Sequence, residues 1–353
     1  MKLTAWQFVK SQWTPTPPAP REDLSGKTVV VVGANVGLGF EAAKHFASMN
    51  PGMLILACRD KKKGEDALQQ IKQQTGFQNA HVWLVDLKDH ASVVAFAERF
   101  EKENVRLDII IANAAVGPPN NHTAEAGPDG WEADLCHLLC SSFLVNNLST
   151  NQLCLLLIPT LIKTAKQYNT LPRLVVVASG MHYFTELAPK VLSSDHPVTT
   201  FGKADNTVKT DLVGGKRYSD TKLLNVLFAR GLNDRLRNQP LVVNAVCPGY
   251  CYSNLRRNFT GVRAIVDWLM ERVLARTTEE GSRQLVWAAL AKQDAPDQLR
   301  GAYISSMNSV EPSDFVVSQA GAEFQDKLWD DMLVELGKIS PRVVEIASTY
   351  LAQ

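Results

Sequence analysis

The run Thr28-Val-Val-Val-Val32, followed at once by Gly33-Ala-Asn-Val-Gly37-Leu-Gly39 and then by Phe40-Glu-Ala-Ala-Lys-His-Phe-Ala47, limits the fold of this chain more than any other stretch. A β-branched run without polar alternation reads as a strand covered on both faces, as in a parallel sheet. The segment after the glycines has helical periodicity. Strand, glycine turn and helix in that order form the context of a dinucleotide-binding turn. Glycines let the backbone approach a pyrophosphate, and the helix N-terminus offers unpaired N–H groups and the positive end of its dipole. The spacing is Gly-x-x-x-Gly-x-Gly, unlike the Gly-x-Gly-x-x-Gly of other nucleotide folds.

The same alternation continues along the chain. Met53–Cys58 predicts a second strand, His81–Asp86 a third, Leu107–Asn113 a fourth, Leu171–Ser179 a fifth and Leu241–Cys247 a sixth, the last closed by Pro248-Gly249. Amphipathic helical segments separate them, as in Ala91–Asn104, and a short last strand is expected at Gly301–Ser305. Residues 131–168 carry one long helical signal with Asn146 and Asn147 among leucines and valines, and Thr277-Thr-Glu-Glu begins like a capped helix. Strands alternating with helices predict an α/β fold with a doubly wound parallel sheet of Rossmann type. No internal repeat or second-domain boundary shows, so residues 25–353 read as a single domain. Residues 1–24 form an N-terminal extension, whose Thr14–Pro20 segment holds four prolines and reads as a stiff connector. Residues 1–13 are expected to pack on the domain's own surface, with an interfacial helix using Trp6, Phe8, Val9 and Trp13 as the alternative.

Composition excludes several classes. A formal net charge of +1 over 353 residues argues against a general polyanion binder such as a nucleic-acid protein. The six cysteines include no Cys-x-x-Cys pair and no matching histidine cluster, which reads as buried reduced thiols with no metal site. Missing signal-like and membrane-spanning segments join the thiols in pointing to the cytosol, with membrane contact not expected.

Candidate chemistry gathers where the strands end. Tyr218-Ser-Asp-Thr-Lys222 places a phenol and an ammonium on one helix face, where the ammonium favours the phenolate and suits the phenol to exchange a proton near neutral pH. Arg59 follows the second strand, where an Arg accommodates a ribose 2′-phosphate and an acid would bind the 2′-hydroxyl. Lys63 is read as one helical turn from Arg59 on the same face, favouring NADP over NAD. Asp60 would reverse that preference if the strand ended one residue later. Asp86 and Ser179 close the third and fifth strands. The long Thr-, Ser-, Asp-, Pro- and Gly-rich connection over 180–217 reads as a lid or binding loop. With 250–276 it would wall a substrate pocket through Tyr183, Phe184, Phe201, Tyr250, Tyr252, Phe259 and Trp268.

Taken in order, the glycine turn, Ala57-Cys-Arg-Asp60, Asn113, Ser179, Tyr218-x-x-x-Lys222 and Cys247-Pro-Gly249 resemble the short-chain dehydrogenase/reductase family, in its retinol-dehydrogenase-like branch and fungal relatives, over roughly residues 25 to 310. The resemblance implies that Gly33, Asn35, Gly37, Leu38 and Gly39 line the pyrophosphate, that Asp86 meets the adenine, and that Asn113 and Ala114 border the adenosine ribose. It implies Tyr218 as proton donor or acceptor, Ser179 bonding the substrate oxygen, Lys222 on the nicotinamide ribose, and Asn146 holding a relay water. Pro248, Gly249 and Ser253 match the segment that contacts the nicotinamide. Val32, Ala112 and Ala115 depart from the family's usual residues and bear on local turn bonding. The expected activity is NADP(H)-dependent interconversion of a carbonyl and an alcohol on an apolar or aromatic small molecule. The alternatives are an NAD-dependent alcohol dehydrogenase and a catalytically idle dinucleotide-binding regulator. A homodimer paired through the helices at 131–168 and 218–238 is a further possibility that the resemblance raises.

Overall fold

The computed structural model describes residues 3–117, 141–203, 216–236, 239–253, 255 and 261–352. Its centre is an eight-stranded sheet in the order β3-β2-β1-β4-β5-β6-β7-β8. The strands are β1 (Thr28–Val32), β2 (Met53–Cys58), β3 (Ala80–Leu84), β4 (Ile109–Ala112), β5 (Arg173–Val177), β6 (Val242–Cys247), β7 (Tyr303–Ser305) and β8 (Asn308–Val310). All neighbours run parallel except β7 and β8.

Helices α1 (Ala5–Trp13), α2 (Gly37–Ala47), α3 (Lys61–Thr75), α4 (His90–Lys102), α5 (Thr150–Tyr168), α6 (Pro189–Leu192), α7 (Pro197–Lys203) and α8 (Lys216–Arg235) follow in the first two thirds of the chain. Then come α9 (Gly261–Leu274), α10 (Thr278–Leu290), α11 (Asp314–Val317), α12 (Gln319–Ile339) and α13 (Pro341–Tyr350).

The β1 run is apolar throughout because both of its faces are covered. Val30 and Val32 belong to the core beneath α4, α5 and α8, whereas Val29 and Val31 belong to the core beneath α2, α3 and α10. Full burial of each such side chain stabilises the fold by about 1.5–3 kcal/mol. The chain winds outward through β2 and β3 on one side of β1 and through β4 to β7 on the other. A crevice therefore opens between β1 and β4 at the carboxyl edge, the place where open α/β sheets hold ligands.

Several expectations need correction. β3 spans Ala80–Leu84, so Asp86 lies beyond its end and not at its last residue. The helical signal at 131–168 is described only from residue 141, and Leu144–Ser149 forms a π-helical segment before α5 begins. Insertion 180–217 contains a 3-10 turn, Gly180–Phe184, and the short helices α6 and α7, which proline at each helix start favours. The last strand does not stand alone. Ser306 and Met307, at φ +51° and +56°, turn the chain back into β8. A two-residue hairpin turn of this kind usually advertises itself by Asn-Gly or Asp-Gly.

Helix α1 packs against the sheet's own neighbours. Gln12 Nε2 donates to the Tyr250 and Leu274 carbonyls at 2.9 and 3.1 Å, Trp13 Nε1 donates to the Val273 carbonyl at 3.0 Å, and Phe8 meets the Tyr250 ring edge-on. Helices α12 and α13 lie over α8 and α5, with Trp329 stacked on Phe228 and Leu336 and Val343 inside the core. The helices expected to pair two subunits thus carry part of the chain's own C-terminal segment. Among the described residues no helix is long and apolar enough to cross a membrane, and no three His, Cys, Asp or Glu side chains are grouped to hold a metal. Cys58, Cys154, Cys247 and Cys251 are buried and free of disulfides, whereas Cys136 and Cys140 lie outside the described residues.

Candidate active site

The turn after β1 is a backbone cradle. Gly33 and Gly37 adopt φ +76° and +65°, a region that side-chain-bearing residues rarely enter. A Cβ on Gly37 would meet nothing within 4 Å, whereas one on Gly39 would fall 2.4 Å from the Gly33 carbonyl and 2.6 Å from Asn113 Nδ2. The turn is thus open outward and tightly packed inward. No side chain caps the N-terminus of α2, where Val36 is half exposed, so no side chain occupies the first-turn N–H groups. This is the donor set and the room that a diphosphate needs. Asn35 and Leu38 line the same turn, partly buried, with Leu38 also packed on the core. Asn113 donates from Nδ2 to the Val32 and Gly33 carbonyls at 3.1 and 3.4 Å, tying the end of β1 to the segment after β4 where Ala114 sits beside Gly33.

At the end of β2, Arg59 is exposed and precedes the helix instead of lying on it, so its expected helical alignment with Lys63 does not hold. Asp60 is the N-cap of α3 and its carboxylate accepts the Lys63 N–H at 3.0 Å, an interaction that holds its pKa below the ordinary value. Lys63 is exposed beside Arg59's end of the helix. Asp86 is partly buried, and its carboxylate accepts the Lys88 N–H at 2.9 Å.

The carboxyl end of β5 collects the second set. Lys222 is only 2% exposed, donates from Nζ to the Val177 carbonyl at 2.8 Å and lies 5.6 Å from the centroid of the Tyr218 ring. Burial lowers its pKa to about 8, because the charged ammonium has lost water. Two residues beyond Val177, Ser179 caps the 3-10 turn, accepting the Met181 N–H on Oγ at 3.2 Å. That role leaves the hydroxyl hydrogen to donate elsewhere. Lys222 thus ties α8, which carries Tyr218 one turn earlier, to the end of β5, two residues before Ser179.

Asn146 lies in the π-helical segment, a feature frequent at functional sites. Its amide is engaged with protein groups: Oδ1 accepts the Val116 N–H at 2.8 Å, and Nδ2 donates to the Val116 carbonyl at 3.1 Å and Thr221 Oγ1 at 3.3 Å. The adjacent Asn147 donates to the Thr221 carbonyl and to Asn225 Oδ1, so the two asparagines bind α8 to the loop after β4. Gly249 turns at φ +86°, Pro248 precedes it, and Ser253 Oγ accepts the Leu255 N–H at 3.1 Å. Of the pocket aromatics, Tyr183 and Phe201 are wholly or partly buried, whereas Phe184, Tyr252 and Trp268 are exposed, and Phe259 lies outside the described residues.

Sequence reasoning missed three groups around this edge. Cys247 Sγ accepts the Gly180 and Gly249 N–H groups at 3.1 and 3.4 Å, linking the turns after β5 and β6. His182 is fully buried three residues past Ser179. Asp220, paired with Thr185 and Lys216, has its pKa raised by burial. Asp220 inside Tyr-x-x-x-Lys and Cys247 at the head of Cys-Pro-Gly were visible as positions but not for these contacts, and His182 carried no signal.

The chain is similar to known proteins. A family model described as short chain dehydrogenase matches residues 27–180. A short chain dehydrogenase/reductase from the fungus Cryptosporiopsis sp. is 34% identical over 95% of this chain and 98% of its own length. The chain belongs to the short-chain dehydrogenase/reductase family. A short-chain dehydrogenase of Penicillium roqueforti is 33% identical to this family member over 97% of the chain and 85% of the relative. Among solved structures, salutaridine reductase from Papaver somniferum superposes with a TM-score of 0.57 at 22% identity, covering 79% of this chain and 99% of that chain. A Sphingobium yanoikuyae short-chain dehydrogenase in complex with NADPH gives 0.51 at 21% identity over 72% and 81%. These structural likenesses support the fold of the oxidoreductase.

Proposed function

We propose that this short-chain dehydrogenase/reductase uses NADP(H) to interconvert a carbonyl and an alcohol on an apolar or aromatic small molecule, with Tyr218 as general acid/base. One observation carries the reading: a buried Lys222 anchored to the Val177 carbonyl under the Tyr218 ring, two residues from Ser179.

The cradle fits a dinucleotide, since Gly37 opens outward and no side chain caps α2. Gly33, Asn35, Gly37, Leu38 and Gly39 would hold the diphosphate, and Asp86, Asn113 and Ala114 the adenosine end. Pro248, Gly249 and Ser253 would border the nicotinamide. The bound cofactor would supply or accept the hydride. The protein's part is to bind, orient and move a proton. As negative charge grows on the substrate oxygen, the Ser179 hydroxyl and the Tyr218 phenol donate to it, and Tyr218 passes its proton across. The Lys222 ammonium steadies the phenolate that results. The amide of Asn146 holds the loop after β4 against Thr221, one residue from Lys222.

NADP is favoured because the Asp60 carboxylate is engaged as a helix cap, while Arg59 stands exposed at the strand end where a 2′-phosphate would lie. The structural neighbour solved in complex with NADPH is in keeping with that preference. Titration of NADPH and NADH into wild type and Arg59→Ala tests it. Arg59→Ala should weaken NADPH at least ~10-fold, the loss of one charge-assisted phosphate contact, and leave NADH unchanged. Unaltered NADPH binding would refute the cofactor preference. A panel of ketones and quinones followed by NADPH absorbance tests the activity itself.

A further inference from the structure

We propose that His182 is a positioning residue for Ser179, fastening the backbone of the Ser179 turn, as a neutral imidazole with its hydrogen on Nδ1, to the amide of Ser313 beyond β8. The inference rests on the reading of Ser179 as a substrate-bonding group. His182 is 0% exposed; its Nδ1 lies 2.8 Å from the Ser179 carbonyl and its Nε2 lies 3.1 Å from the Ser313 backbone nitrogen. An amide N–H can only donate and a carbonyl can only accept, so the two neighbours dictate the ring's state. Nε2 must be bare to accept from Ser313, and Nδ1 must carry the hydrogen that Ser179 accepts. The opposite tautomer would set N–H against N–H and lone pair against lone pair. Desolvation pushes the ring's pKa down to about 4, which keeps it neutral at working pH.

The bond matters because of where it acts. The peptide between Ser179 and Gly180 has its carbonyl held by His182 Nδ1 and its N–H held by Cys247 Sγ at 3.1 Å. The preceding Ala178 N–H is fixed to the Val246 carbonyl at 2.8 Å. Both flanks of Ser179 are thereby clamped, and its Oγ is aimed by that backbone together with the Met181 N–H it accepts at 3.2 Å. The ring is wedged in turn: its centroid lies 4.0 Å from that of Tyr183 and 4.5 Å from that of Tyr303, and Tyr183 donates its hydroxyl hydrogen to the Glu311 carbonyl. The hairpin β7–β8 and the residues after it thus act as a buttress behind the serine. A misplacement of about 1 Å at a reacting group costs ~100-fold in rate, so such a buttress is of catalytic consequence.

Three variants and one spectrum test the link. His182→Phe keeps an aromatic ring and removes both side-chain hydrogen bonds, leaving only the backbone N–H of residue 182 on the Ser179 carbonyl. Ser313→Pro removes the amide donor together with a buried hydroxyl that makes no hydrogen bond among the described residues, at a φ of −60° that proline adopts. His182→Asn retains a side-chain N–H that can reach the Ser179 carbonyl. With Ser179→Ala as reference, His182→Phe and Ser313→Pro should each lower kcat at least ~10-fold with KM for NADPH and substrate within ~2-fold. The double variant should be no slower than the slower single, as expected when both cut one connection, and His182→Asn should recover part of the loss. Imidazole ¹⁵N resonances of the cofactor-free wild type should report a bare Nε2 and a protonated Nδ1 over about pH 5 to 8. This readout stands even if a variant fails to fold. A hydrogen on Nε2, full kcat in His182→Phe alongside a disabled Ser179→Ala, or multiplying losses in the double variant would overturn the proposal. Full activity in Ser179→Ala would instead overturn the functional reading on which it rests.

Discussion

The cradle after β1 and the edge after β5 lie along the same carboxyl side of one sheet, yet they are made of different materials. The cradle is backbone: two glycines at positive φ, a third glycine packed without room for a Cβ, and a helix N-terminus with no side-chain cap. The β5 edge is side chain, and its groups are buried: Lys222 under the Tyr218 ring, His182 behind Ser179, Asp220 beside Thr185. Backbone dipoles do not titrate, so the cradle should fail through shape. Buried ionisable groups exchange water for fixed partners, so the edge should fail through protonation.

The sharpest separation of the two regions is Tyr218→Phe, which should lose at least ~100-fold in turnover while binding cofactor as wild type does by calorimetry. Near-full turnover would put the chemistry elsewhere. Next, Gly39→Val should do the converse. Its side chain would collide with the Gly33 carbonyl, a backbone atom that cannot yield, at a cost of about 1–3 kcal/mol. Dinucleotide affinity should then fall at least ~10-fold; retained affinity would show that the close packing is dispensable.

A pH profile distinguishes the regions more gently. The pKa of Lys222 lies near 8 in the folded protein, below its ordinary 10.5, so between those values the unfolded chain holds the extra proton. This group's contribution to stability therefore rises with pH from about 8 to 10.5, and turnover that needs the ammonium falls as pH rises through about 8. Lys222→Arg, which stays charged, should abolish the alkaline fall in kcat; an unchanged limb would assign it to another group. The smallest effect is expected at the end of β2, where Asp60→Ala removes the α3 cap and should cost about 1 kcal/mol in thermal or urea unfolding with turnover intact. If NADH binding disappeared instead, Asp60 would be a cofactor ligand and not a cap.

Legibility of the sequence followed the same division. β1 and β2 occupy Thr28–Val32 and Met53–Cys58 as expected, because strands buried on both faces leave continuous apolar runs with glycine or charged residues at their ends. The capping box at Thr277 and Glu280 was also readable, since its partners are three residues apart. By contrast, β8 was hidden, because its turn uses Ser306 and Met307, and the Met307 N–H is held by Gln284 from a distant helix at 2.7 Å. His182 carried no signal either: its partners include Ser313, 131 positions along the chain.

What the sequence determined by itself is the local grammar: which runs must be strands, where glycine alone can turn, and which helix face pairs a phenol with an amine. These rest on period, backbone freedom and spacing within a few residues. The tertiary structure decided the rest. It set Lys222 against the Val177 carbonyl, laid α12 and α13 over α8 and α5, and fixed the histidine behind Ser179. Burial and long-range partners govern those outcomes, and neither exists until the chain has folded.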